Sequence, residues 1–134
     1  MVAMPDTVPT FWLLAAAIAF LLKHLAADFL LQTDWMARGK EAERGWLAPL
    51  TAHVAVHAAI TALIFTVAAP ALVWLAAVDF GVHFFIDRMK GIIGRKLTLA
   101  PSSSGFWWLM GIDQTLHHAT HLVFVVALAA ARAA

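Results

Sequence analysis

The sequence predicts an all-α protein, a four-helix transmembrane bundle forming a single domain over residues 1–134. Three observations predict it. Hydrophobic residues make up 63% of the chain, too large a share for an ordinary soluble domain. They gather into four apolar stretches, each close to the length that crosses a hydrocarbon core of about 30 Å. Each stretch also carries ionisable residues at helical spacing, and inside a membrane such residues belong to a bundle interior.

Residues 1–10 form a short polar lead with Pro5 and Pro9. The lead has Asp6 and no basic residue, so the apolar run behind it is expected to be retained rather than cleaved as a signal. The first helix spans about 11–31 and closes in LLKHLAADFLLQ, Leu21–Gln32. His24, Asp28 and Gln32 stand i, i+4, i+8 there and share one stripe. Lys23 points off that stripe and is expected to snorkel to the inner interface. A charged connection follows over 33–48, flanked by Trp35 and Trp46, which suit the headgroup level.

The second helix spans about 49–69, with Pro49 in its first turn and His53, His57 and Thr61 on one face. Pro70 marks a tight reversal. The third helix spans about 71–89 and aligns Asp79, His83 and Asp87. Lys90–Gly105 reads as a basic loop, with Gly91, Gly94, Pro101 and three serines. The fourth helix spans about 109–130, behind Trp107 and Trp108. It puts Asp113, His117 and His121 on one stripe, with Gln114 and His118 on the adjacent one.

Charge sets the expected topology. Arg38, Lys40 and Arg44 lie in the first connection, and Arg88, Lys90, Arg95 and Lys96 in or beside the third. Only Arg132 lies near the termini or the Pro70 turn. The positive-inside bias then places both basic connections in the cytoplasm and both termini outside. At about 1.5 Å per residue, all four His/Asp pairs fall in one layer just below the cytoplasmic face. A weak internal repeat matches His24/Asp28/His53/His57 with His83/Asp87/His117/His121. Both copies run out–in–out, giving two parallel pseudo-repeats of two helices about an axis along the membrane normal.

The formal charge of +1 gives no reason to expect nucleic acid as a partner. The lack of cysteine excludes disulfides, thiolate metal sites and cysteine nucleophiles. Ser102–Ser104 have no nucleophile elbow around them. Imidazole and carboxylate remain, and together they suit one or two divalent ions, Zn foremost, with Fe or Mn also compatible. The expected ligands are His24, Asp28, His53, His57, His83, Asp87 and His117, with Asp113 as general base. Asp79 would orient a ligand imidazole, or else serve as a proton-relay acid. His121 would stand behind the ligands, and Gln32 and Gln114 would join helices through their amides. The plainer reading of each pair is a His–Asp hydrogen bond that staples two helices. The basic set Arg88, Lys90, Arg95 and Lys96 would meet anionic headgroups, or a substrate phosphate.

The ordered set His24-x-x-x-Asp28-Phe29-x-x-Gln32, Lys40, His53, His57, His83-x-x-x-Asp87-x-x-Lys90 and Asp113-Gln114-x-x-His117 resembles one small family. It is a bacterial and phage integral-membrane family catalogued as a domain of unknown function. The resemblance covers nearly the whole chain and implies a four-helix membrane protein but no reaction. The expected location is the bacterial inner membrane, crossed several times. The His-x-x-x-Asp pattern is also loosely similar to inner-membrane proteins described as metal-dependent hydrolases. The leading expectation is therefore a metal-dependent hydrolase acting on an amphiphilic substrate, a lipid or a lipid-linked group, with membrane lipids as partners. A proton or metal-ion transporter or channel is the alternative, and a haem-binding or structural subunit the third reading. A bundle this small could also form a homodimer.

Overall fold

The structure, a computed structural model, describes residues 4–133. Those residues form five α-helices and no strand. α1 (Thr10–Leu25) starts behind Pro9, whose carbonyl accepts from the Leu13 N–H at 3.0 Å. It continues through one π-helical turn, Ala26–Leu30, closed by the Leu31 N–H on the Ala26 carbonyl at 2.8 Å. α2 (Asp34–Gly39) is short and is capped by the Thr33 hydroxyl, which accepts from the Met36 N–H at 3.2 Å. α3 (Leu47–Ala68) carries Pro49 in its first turn. A 3₁₀ turn, Pro70–Leu72, reverses the chain into α4 (Leu75–Lys96), and α5 (Ser104–Ala131) ends it.

The element bounds depart from expectation in three places. The charged connection contains α2. The third helix starts a few residues late, because Pro70 begins a 3₁₀ turn instead. The basic stretch at Lys90–Lys96 is helical, and α5 begins at Ser104, so the loop between them shrinks to 97–103. Gly91 and Gly94 do not break α4, because tertiary contacts hold it there. The Glu41 Cα would lie 3.3 Å from a Cβ on Gly91. Arg88 donates to the Ala42 carbonyl at 3.2 Å, and Arg95 donates to that of Glu41.

Three segments are long and apolar enough to cross a membrane: Thr10–Leu30, Leu47–Ala68 and Pro70–Lys96. α5 is longer than any helix among them, at 28 residues, but carries Asp113 and three histidines. α1 packs on α5 and α3, α3 on α4, and α4 on α5. Many large apolar side chains point outward, among them Ile18, Leu21, Leu63, Leu122 and Val123. A surface of that kind suits lipid rather than water.

Both charged connections meet at one end of the molecule, through the arginine bonds to Glu41 and Ala42. At the other end, Arg132 stacks over Trp12 at 4.3 Å. The interior changes character between those ends. Toward the Arg132 end it is apolar, built on Ala16, Phe20, Phe65, Leu75, Phe124 and Leu128. The rings of Phe20, Phe65 and Phe124 pack mutually at 5.8–5.9 Å. Toward the charged end it is histidine and aspartate.

Candidate metal centre

The i, i+4 stripes of α1, α3, α4 and α5 converge as their spacing predicts. His53 on α3 lies between two carboxylates, its Nε2 3.3 Å from Asp28 Oδ1 and 3.3 Å from Asp87 Oδ2. His57 Nε2 is 2.9 Å from Asp28 Oδ1, and His117 Nε2 is 3.0 Å from Asp87 Oδ1. In each half of the chain, the aspartate of one helix thus meets a histidine of the next. The repeat is imperfect, since His121, the counterpart of His57, turns to Lys23 instead. Asp28 sits in the π-helical turn, whose wider winding carries it inward; such turns are frequent at functional sites.

His83 lies at the middle. It is 1% exposed, and neither of its ring nitrogens has a hydrogen-bond partner. The rings of His57 and His117 flank it, each 3.9 Å away between centroids. Leaving a buried polar group unpaired costs about 1–3 kcal/mol. A positive ion would satisfy it, and the donors are already grouped for one. Asp28, His53, His57 and His83 can each offer an atom to a common point, as can His83, Asp87 and His117. Within each group the donor atoms lie within 4.8 Å of one another. The Nδ1 atoms of His53 and His57 lack the outward hydrogen bond that usually orients a ligand imidazole. Packing of ring on ring holds them, with His53 and His57 at 4.8 Å.

His24 stands outside both groups. Its Nε2 faces Gln114 Oε1 at 2.8 Å and Asp28 Oδ2 at 3.2 Å, so it braces Asp28 from the rim. Gln114 in turn donates to Asp113 Oδ2 at 3.1 Å, joining α1 to α5 as expected of a helix-bridging amide. Asp113 Oδ1 is 3.4 Å from His117 Nε2 and has no hydrogen-bond partner. His118 is exposed, its ring 4.6 Å from that of His24. Gln32 does not join helices: it donates to the Asp28 carbonyl of its own segment at 2.9 Å.

Two expectations are corrected. Lys23 does not snorkel. It is 2% exposed, its Nζ 2.6 Å from Asp79 Oδ2 and 2.9 Å from His121 Nε2. Asp79 therefore orients no ligand imidazole, since its Oδ2 takes Lys23 and the Thr61 hydroxyl, the latter also at 2.6 Å. A carboxylate that deep draws the nearest cation inward, because an ammonium gains more from that partner than from the distant interface. The basic set also divides. Lys90 lies beside Glu41 and Asp113, Arg95 reaches Glu41, Arg88 stacks on Trp46 at 3.8 Å, and Lys96 is exposed.

Lys40, which the sequence singled out only within the resemblance and with no role in the centre, belongs to it. It ends α2, yet it is buried, with Nζ 3.1 Å from both His53 Nε2 and Asp87 Oδ2. Gly39 brings it there, because a Cβ on Gly39 would run into the Pro49 ring. Gly39→Ala is accordingly expected to lever α2 off α3 and lower stability by about 1–3 kcal/mol. Gly81→Ala, where a Cβ meets nothing within 4 Å, should be neutral or slightly stabilising. Thermal unfolding of the two variants in detergent makes the comparison.

Of the four aspartates in the interior, three have a lysine. Asp79 has Lys23, Asp87 has Lys40, and Asp113 has Lys90 at 3.8 Å. Asp28 has no lysine, only His24, His53 and His57 around it.

No curated protein and no solved structure matches the chain. A family model does, over residues 16–133, which takes in every histidine and aspartate of the centre. The chain belongs to the family described as Protein of unknown function (DUF3307).

Proposed function

We propose that the chain is a four-helix transmembrane protein of the bacterial inner membrane, with both termini outside. We further propose that it holds a divalent ion near the cytoplasmic face and uses it to hydrolyse a lipid or lipid-linked substrate. The observation that carries this is His83, buried, shared by two sets of converging donors and without a hydrogen bond at either ring nitrogen, its Nε2 3.7 Å from Asp87 Oδ2. Imidazole with carboxylate suits Zn best, with Fe or Mn as alternatives. Charge favours a single ion in the Asp28, His53, His57 and His83 group. Asp28 there lacks a lysine, whereas Lys40 already stands as the cation beside Asp87. Lys40 also touches His53 Nε2 at 3.1 Å and would turn fully to Asp87 when that nitrogen binds the ion.

When bound, such an ion polarises a scissile bond and acidifies a water. The chain supplies the rest. Asp113, whose Oδ1 has no hydrogen-bond partner, would take a proton there. Lys40 and Lys90 offer positive charge where anionic charge would develop. The hydrophobic plug of Phe20, Phe65 and Phe124 closes the interior toward the far end, which favours an enzyme over a conducting path.

Metal analysis of protein purified without chelator should give about one equivalent of a transition metal. Less than about a tenth of an equivalent overturns the reading. A colourless preparation removes haem, and a proteoliposome flux abolished by His57→Ala would restore transport.

A further inference from the structure

The charges beyond the centre point to what it acts on. Beside it lies a cavity of about 150 Å³, walled by Asp28, Lys40, Lys90, Asp113 and His117 among others. A second cavity of about 380 Å³ shares Lys90 and Met110 with it and adds Glu41, Arg95, Leu99 and Phe106. The inner chamber presents two ammonium groups among three carboxylates: Lys40 is 3.1 Å from Asp87, Lys90 is 3.8 Å from Asp113, and Asp28 is the carboxylate that the proposed ion would offset. The outer one has cations on one side and apolar side chains on the other. Lys90 stands at the join, its Nζ 3.0 Å from Glu41 Oε1.

Glu41 is the weak partner in that pair. Its side chain is 45% exposed, against 16% for Lys90. An ion pair with one arm in water contributes only about 0–1 kcal/mol. Without Glu41, Lys90 keeps only Asp113 at 3.8 Å, a poorly matched anion for a half-buried ammonium. A doubly charged oxyanion would answer both lysines at once, as point charges suit phosphate.

We propose that the substrate carries a phosphate-type group that displaces the Glu41 carboxylate from Lys90 and lodges between Lys90 and Lys40. Its apolar chain lies along Leu99, Phe106 and Leu109. The assignment deepens the hydrolase reading and rests on it for the chemistry, but binding is measured separately. No bond changes on binding; one anion replaces another.

The test is calorimetric titration of the purified full-length protein in detergent, with inorganic phosphate and with a short-chain phosphatidic acid. Metal content and gel filtration accompany every variant. Glu41→Gln removes the competitor and should tighten both ligands roughly threefold. Lys90→Met should weaken both about tenfold or more, and Lys90→Arg should keep most of the affinity. The opposite signs separate the proposal from a structural ion pair, whose loss would act alike from either side. Glu41→Gln binding no tighter than the natural chain overturns it, as does Lys90→Met binding unchanged. Phosphatidic acid should bind at least about tenfold tighter than phosphate, because each buried methylene contributes about 0.8 kcal/mol. Equal affinities overturn the seat for the chain and leave a site for a free oxyanion. Absence of metal from the unaltered protein would bring down the hydrolase reading while these binding shifts stayed legible.

Discussion

Asp28→Asn is expected to empty the centre of its ion while leaving the protein folded. Asp28 is the one carboxylate of the cluster without a lysine, and it meets His24, His53 and His57 together. Losing even an outer partner of a metal ligand costs about 10–100-fold in affinity; losing this charge and this donor should exceed that range. Asp87→Asn should cost less, because Lys40 already neutralises Asp87. Unfolding supplies a second readout. An ion that binds only the folded state stabilises it by about 2.7 kcal/mol at a hundred times its dissociation constant. Chelator should therefore lower the melting temperature of the natural chain and leave that of Asp28→Asn unmoved. If the His–Asp contacts were only staples between helices, chelator would change neither. Asp28→Asn would then simply be less stable, because a broken buried contact carries its cost with or without metal.

The convergence of the stripes was legible because helical periodicity is rigid. His53 and His57, or His83 and Asp87, must share a face, and in lipid a polar face turns inward. Six of the seven ligands read from spacing fall within the two donor groups, His24 being the one outside. Depth along a helix was legible for the same reason. Side-chain reach was not. Lys23 has a stem long enough for either the interface or the interior, and its fate is decided by Asp79, a residue of another helix. Asp79 was the clue, since a carboxylate at that depth needs a cation at the same depth. Lys40 gave no periodic signal at all. Its burial follows from the contact of Gly39 with Pro49, which exists only once α2 has folded back on α3. The π-helical turn at Asp28 has no glycine or proline to announce it. Gly91 and Gly94 misled in the other direction, because breaker propensity yields to packing, of Gly91 on Glu41 and of Gly94 on Leu109.

Lys23→Met and Asp79→Asn should each destabilise the protein severely, and the pair together far less than their sum. Lys23, Thr61, Asp79 and His121 come one from each long helix and bond to one another in the interior. Removing one member of a buried ion pair costs about 3–5 kcal/mol, because the other charge is left without compensation. Replacing both charges with apolar groups of similar volume is often neutral, so Lys23→Met with Asp79→Leu should recover most of the loss. Thr61 can then turn its hydroxyl to its own helix. The double-mutant cycle is read from unfolding in detergent, and metal content is measured alongside. A single Lys23→Met that melts with the natural chain would mean that the ammonium reaches the interface after all. A double variant that stays folded and keeps its ion would show that the knot braces the bundle without serving the centre. Loss of the ion in that same folded variant would give the pair a second duty. It would set the register of α1 against α4, on which the meeting of Asp28 with His83 depends.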